Sequence, residues 1–145
     1  MAAPQFSTFP PRNNRSRPKR LFTLNEANRS LPLVARIVRD IVNTHSRASQ
    51  LQAKLDESPT SKDAATALAQ LEETLGRLQD YVDELIAIGV ALKDYDTGLI
   101  DFPAQHQGHD VLLCWKLGEE KIDYWHELHT GYAGRQPIAT LEESD

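Results

Sequence analysis

The run Cys114-Trp115-Lys116-Leu117-Gly118-Glu119-Glu120-Lys121-Ile122-Asp123-Tyr124-Trp125-His126-Glu127-Leu128-His129 decides how the last third of this chain folds. It reads as strand, turn and strand: Val111 to Leu117 is the strongest strand pattern present, and Gly118-Glu119-Glu120 breaks it before Lys121 to His126. The number of residues in the turn determines which side chains meet, because side chains on a strand alternate between faces with a period of two. An even turn places Leu113, Trp115 and Leu117 on one face with Ile122, Tyr124 and His126. That choice gathers the aliphatic and aromatic residues and is therefore the expectation. Its corollary is that Cys114 and His126 face opposite ways, so Cys114 is read as a core residue and not as a nucleophile with a histidine beside it.

Upstream of this run, Val90 to Lys93 and Leu99 to Phe102 read as two short strands about the turn Asp96-Thr97-Gly98, and Pro103 to Asp110 reads as a polar loop. Within it His106 and His109 are expected in solvent, as is His45 farther back. Asp94 and Asp96 are expected to shape the turn. Asp101, between Ile100 and Phe102, is a carboxylate at an apolar strand end and needs a partner.

The first half of the domain carries a different period. Thr23-Leu24-Asn25-Glu26 is a capping box, so a helix is expected to start at Leu24. Pro32 lies too deep for the first turn and predicts a kink or restart. Ile37, Ile41, Thr44, Ala48, Leu51 and Leu55 then recur at steps of four and three to Asp56. After Ser58-Pro59-Thr60-Ser61, the residues Leu68, Leu71, Leu75, Leu78, Val82 and Leu85 keep the same rhythm to Ile88, and Gly89 supplies a left-handed stop. Two helices of roughly 40 Å joined by so short a break must run antiparallel.

The expected fold is therefore α+β: a helical hairpin over 24–89 packed at its base on a small antiparallel sheet of three or four strands within 90–138. A chain of 145 residues is one domain of this kind. Residues 1–20, with four prolines and a charge of +5, predict a disordered basic tail, and 139–145 an acidic C-terminal tail. The net charge of −5 leaves −10 for the remainder, which disfavours nucleic acid except through the basic tail. No apolar run is long enough for a membrane span, and one cysteine forms no internal disulfide. A soluble, cytoplasmic protein is expected.

Four blocks together resemble the prokaryotic domain of unknown function 2203 family. They are Asp94 to Pro103, Leu113 to Glu119, Tyr124 to Glu127 and Gly131 to Pro137, preceded by Phe22 to Asn28 with Leu31-Pro32. The resemblance spans about residues 21 to 138 and implies no activity. It departs from the family pattern at His129, where the resemblance implies an aspartate.

The polar residues of this region define two functional readings. In the first, His126, Glu127 and Asp101, with His129 as a further candidate, hold a divalent metal at one end of the sheet. Alternatively the same end of the sheet binds a small anionic ligand through Arg135, Trp125 and Tyr132, with Gly131-Tyr132-Ala133-Gly134-Arg135 as the loop. Metal-assisted hydrolysis is the reaction class such a site suits, if it is catalytic. Otherwise Arg135 bridges structurally to Asp101 or Glu127. In the second reading the leucine seam of the hairpin is an interaction module that forms a four-helix homodimer or docks a partner helix, without catalysis.

Overall fold

The computed structural model describes residues 20–143. Helix α1 (Leu24–Glu57) starts at the expected cap: Thr23 Oγ1 accepts from the amide of Glu26 at 3.1 Å, and the Glu26 carboxylate accepts from the amide of Thr23 at 2.9 Å. The helix does not restart at Pro32; it runs unbroken through it. Pro32 lies on the exposed side of α1, and its ring leaves the Asn28 carbonyl without a helical donor. Helix α2 (Ala64–Ile88) returns antiparallel and ends at Gly89, whose φ of 101° is the left-handed stop.

Five strands follow as an antiparallel meander in the order β1-β2-β3-β4-β5, one more than expected at most. They are β1 (Ala91–Asp94), β2 (Leu99–His106), β3 (His109–Lys116), β4 (Tyr124–Glu127) and β5 (Gln136–Pro137). Most of the expected polar loop 103–110 is strand. Gln107 and Gly108 alone join β2 to β3, at positive φ of 50° and 82°. Two such residues make the hairpin turn that matches strand twist. Pro103 is tolerated because it sits where β1 has ended. Its carbonyl accepts from the Phe22 amide at 2.7 Å, on the side where its missing amide proton would otherwise be needed.

Core residues from both layers meet on one face of the sheet. Val34, Val38, Ile41, Leu78 and Leu85 of the hairpin pack with Ile100, Phe102, Leu113, Trp115 and Trp125. A second, smaller cluster, Ala48, Leu51, Ala67 and Leu71, lies toward the hairpin tip. Residues 139–143 lie against the domain: the Glu142 amide donates to His106 Nδ1 at 2.9 Å, and the Glu143 carboxylate accepts from the Leu24 amide at 2.7 Å. Residues 1–19, which hold most of the basic tail, fall outside the described residues; Arg20 donates to the Ile88 carbonyl and stacks on Phe22. Among the described residues no helix is long and apolar enough to cross a membrane.

Candidate functional site

Strand register builds the site. Asp101 pairs with Cys114 across β2 and β3, Cys114 pairs with Tyr124 across β3 and β4, and Leu112 pairs with His126. Directly opposed residues share a face, so Asp101, Cys114, Tyr124 and His126 lie together on the face turned away from the helices. Phe102, Leu113 and Trp125 occupy the other. This overturns the expectation that Cys114 and His126 diverge. Seven residues, Leu117 to Asp123, connect β3 to β4, and an odd connection shifts the faces by one. The core is filled all the same, because Trp125 takes the place given to Tyr124. Ile122 reaches the core from the connection, its amide held by Asn28 Oδ1 of α1 at 2.9 Å.

The three side chains converge in a buried cluster, at 2% exposure for Asp101, 0% for Cys114 and 3% for His126. His126 Nδ1 lies 2.7 Å from the backbone carbonyl of Glu127. A carbonyl only accepts, so Nδ1 carries a proton. Nε2 is left facing Asp101 Oδ1 at 3.1 Å. Metal-binding atoms of Asp101, Cys114 and His126 all lie within 4.8 Å of one another. Burial raises the Asp101 carboxyl above its ordinary range, against the opposing pull of His126 and Lys93. Burial first, and the Asp101 charge second, push the Cys114 thiol up to about 11, with Arg135 partly offsetting them. Such a thiol stays protonated near neutrality unless a cation replaces its proton.

Arg135 stands beside this cluster, its guanidinium between the rings of Tyr124 and Tyr132, 4.0 and 4.1 Å from their centroids. Both rings present it with the negative face of their π-systems. Its carboxylate partner is Glu119 at 3.3 Å, not Asp101 or Glu127 as expected, because the long β3–β4 connection brings Glu119 back over the outer face. The same guanidinium donates to the Tyr132 hydroxyl at 3.0 Å.

The remaining candidates disperse. Glu127 follows His126 in a strand and so points to the opposite face, where it meets His109 at 3.1 Å. His129 is exposed in the turn after β4. Trp125 is a core residue, its indole nitrogen donating to Thr140 Oγ1 at 2.9 Å. His106 is buried rather than in solvent, stacked 4.4 Å from Trp125, because the strand extends through it. His45 is also buried, 5.0 Å from the Tyr95 ring and 3.5 Å from Asp96, since the β1–β2 turn folds against α1. Asp94 accepts from Thr97 Oγ1 at 2.5 Å, as a turn-forming aspartate should. Cys114 is the site residue that sequence reasoning passes over; the odd spacing of the connection is the signal for it.

Asp101 and His126 form part of the wall of a cavity of about 220 Å³. Its other walls are Lys93, Leu99, Leu112, Leu128, Gly131 and Tyr132. Asp101 and His126 thus border a chamber on the outer face of the sheet, and Cys114 lies behind them.

An α+β chain with a buried Asp–Cys–His cluster behind such a cavity is the class of protein seen here. The chain belongs to the uncharacterized conserved protein family DUF2203, whose model matches residues 20–138. No curated protein and no solved structure matches it.

Proposed function

We propose that this protein binds one divalent metal ion of the zinc type through Asp101, Cys114 and His126. The convergence of a carboxylate, a thiol and an imidazole from three strands carries the reading. These are the donor types that such an ion takes. His126 Nε2 and Asp101 Oδ1 are 3.1 Å apart. Two nitrogen and oxygen ligands of a tetrahedral ion span roughly 3.3 Å, close to that separation. His126 Nδ1–H on a backbone carbonyl is the support that orients a metal-ligating imidazole and directs Nε2 to the metal. Arg135 supplies a donor beside the sulfur, suited to a thiolate.

A cysteine-nucleophile reading is weaker on two counts. Both ring nitrogens of His126 are already engaged, neither by the sulfur, and the thiol sits at about 11. The hairpin as a self-association module has less support too. Its large exposed apolar side chains, Leu33 and Leu68, are scattered single residues of the kind common on monomers.

Three protein ligands leave a fourth position on a tetrahedral ion, which is the arrangement of catalytic rather than structural zinc. The cavity beside Asp101 and His126 would give that position access from outside. Cobalt(II) titration of the full chain tests the reading. One equivalent should bind with a thiolate-to-cobalt charge-transfer band, lost in Cys114→Ser and weakened in His126→Ala, and unchanged in Glu127→Gln and His129→Ala. Absence of the band in the wild type would end it.

A further inference from the structure

The cavity next to the triad has walls of two kinds. Leu99, Leu112 and Leu128 are aliphatic, whereas Lys93 is the only Lys or Arg among the lining residues. Lys93 is exposed at the mouth, and among the described residues it forms no ion pair. The chamber measures about 220 Å³. Sites for drug-sized ligands begin at roughly 300 Å³, so the occupant here is smaller than those. Charge fixes its sign and size further. A divalent ion on one carboxylate, one thiolate and one neutral imidazole is net neutral, and Lys93 adds one positive charge. Arg135 is already matched by Glu119.

We propose that the chamber admits a short-chain aliphatic carboxylate, its oxygen on the open metal position, its charge met by Lys93 and its hydrocarbon body against Leu99, Leu112 and Leu128. This rests on the metal reading above. A dianionic head group would leave one negative charge uncompensated in a partly apolar chamber, which favours the monoanion. The aliphatic wall favours a short tail over none. Tyr132, with its hydroxyl near Arg135 and Lys116, lines the chamber as well.

The test uses the cobalt-loaded full chain, with acetate, butyrate and n-propylphosphonate as probes read in the visible ligand-field bands. Butyrate should perturb the bands saturably and bind about tenfold tighter than acetate, the yield of two methylenes incompletely buried. It should also bind tighter than n-propylphosphonate at a pH where the latter is a dianion. Lys93→Met should weaken butyrate about fivefold while the thiolate-to-cobalt charge-transfer band persists. Leu128→Ala, at an exposed position, should narrow the gap between butyrate and acetate. Cobalt bound with its thiolate band but bands indifferent to all three anions would overturn this proposal and leave the metal reading standing. Equal affinities for acetate and butyrate, or tighter phosphonate binding, would overturn it too. Failure of cobalt to bind at all sinks both.

Discussion

Asp101 Oδ1 and His126 Nε2 face each other at 3.1 Å, the separation of a hydrogen bond, which takes one proton. The other imidazole nitrogen already donates to the Glu127 carbonyl, so the proton of this contact sits either on the carboxyl or on Nε2. Either way the pair holds one proton more than it would as two metal ligands. The pair therefore links protonation, stability and metal occupancy.

Metal binding should release protons in a countable way. The Cys114 thiol gives up one, since at about 11 it is protonated near neutrality, and the Asp101–His126 contact gives up the other. Calorimetric zinc titrations near pH 7 in buffers of different ionisation enthalpy should report about two protons per metal ion. Cys114→Ser should bring the release to about one. A wild-type release of zero would contradict the ligand set.

The metal-free protein should show a defined pH dependence from Asp101. Its folded carboxyl value is raised above 3.8, chiefly by burial. A raised carboxyl contributes stability that is complete below the unfolded value near 3.8 and is lost as pH rises through the folded value. In urea unfolding with a chelator present, wild type should therefore lose stability relative to Asp101→Asn as pH is taken upward from about 4. Wild type gaining on Asp101→Asn over the same range would reverse the sign and refute the assignment.

Gly98, in the turn between β1 and β2, is a close approach of that turn to α1. Its φ is 71°, and a Cβ there would come within 2.8 Å of Val38 Cγ1 and 2.9 Å of Leu117 Cβ. Left-handed strain and overpacking then add, so Gly98→Ala should cost about 2–4 kcal/mol. Gly108 is also left-handed but has open space around it. The same change there should cost about 1 kcal/mol. Denaturant midpoints of the two variants decide between them.

Pro32 stands in the interior of an unbroken helix on its exposed side. Restoring the amide should strengthen α1, and Pro32→Ala should raise unfolding stability by about 1–3 kcal/mol. A loss of stability would mean that the ring's own packing outweighs the missing hydrogen bond.

The helices are legible in the sequence because their signals are local: Thr23 and Glu26 satisfy each other's backbone partners, and the leucine period needs no knowledge of the sheet. The faces of β3 and β4 are not, since they hinge on whether the connection holds an odd or even number of residues. Gly118-Glu119-Glu120 suggests a short turn, but Lys121 to Asp123 do not pair, and one misplaced residue exchanges the roles of Tyr124 and Trp125. Cys114 is lost with that choice, whereas Asp101 and His126 are found because each is an ionisable group in an apolar setting. His106 and His45 mislead for a related reason: polar neighbours in sequence say little about what a long-range contact such as Trp125 or Tyr95 will cover.

His45 on α1 and Thr74 on α2 are buried polar residues, each lying between the two apolar clusters of its helix. They divide the hairpin seam into a basal section continuous with the sheet and a distal section resting on four small or aliphatic side chains. The distal turns should therefore open as a separate unit, their amides exchanging with solvent by a lower-energy excursion than global unfolding. The arm can fray and re-zip at its end while the strands that carry Asp101, Cys114 and His126 stay closed.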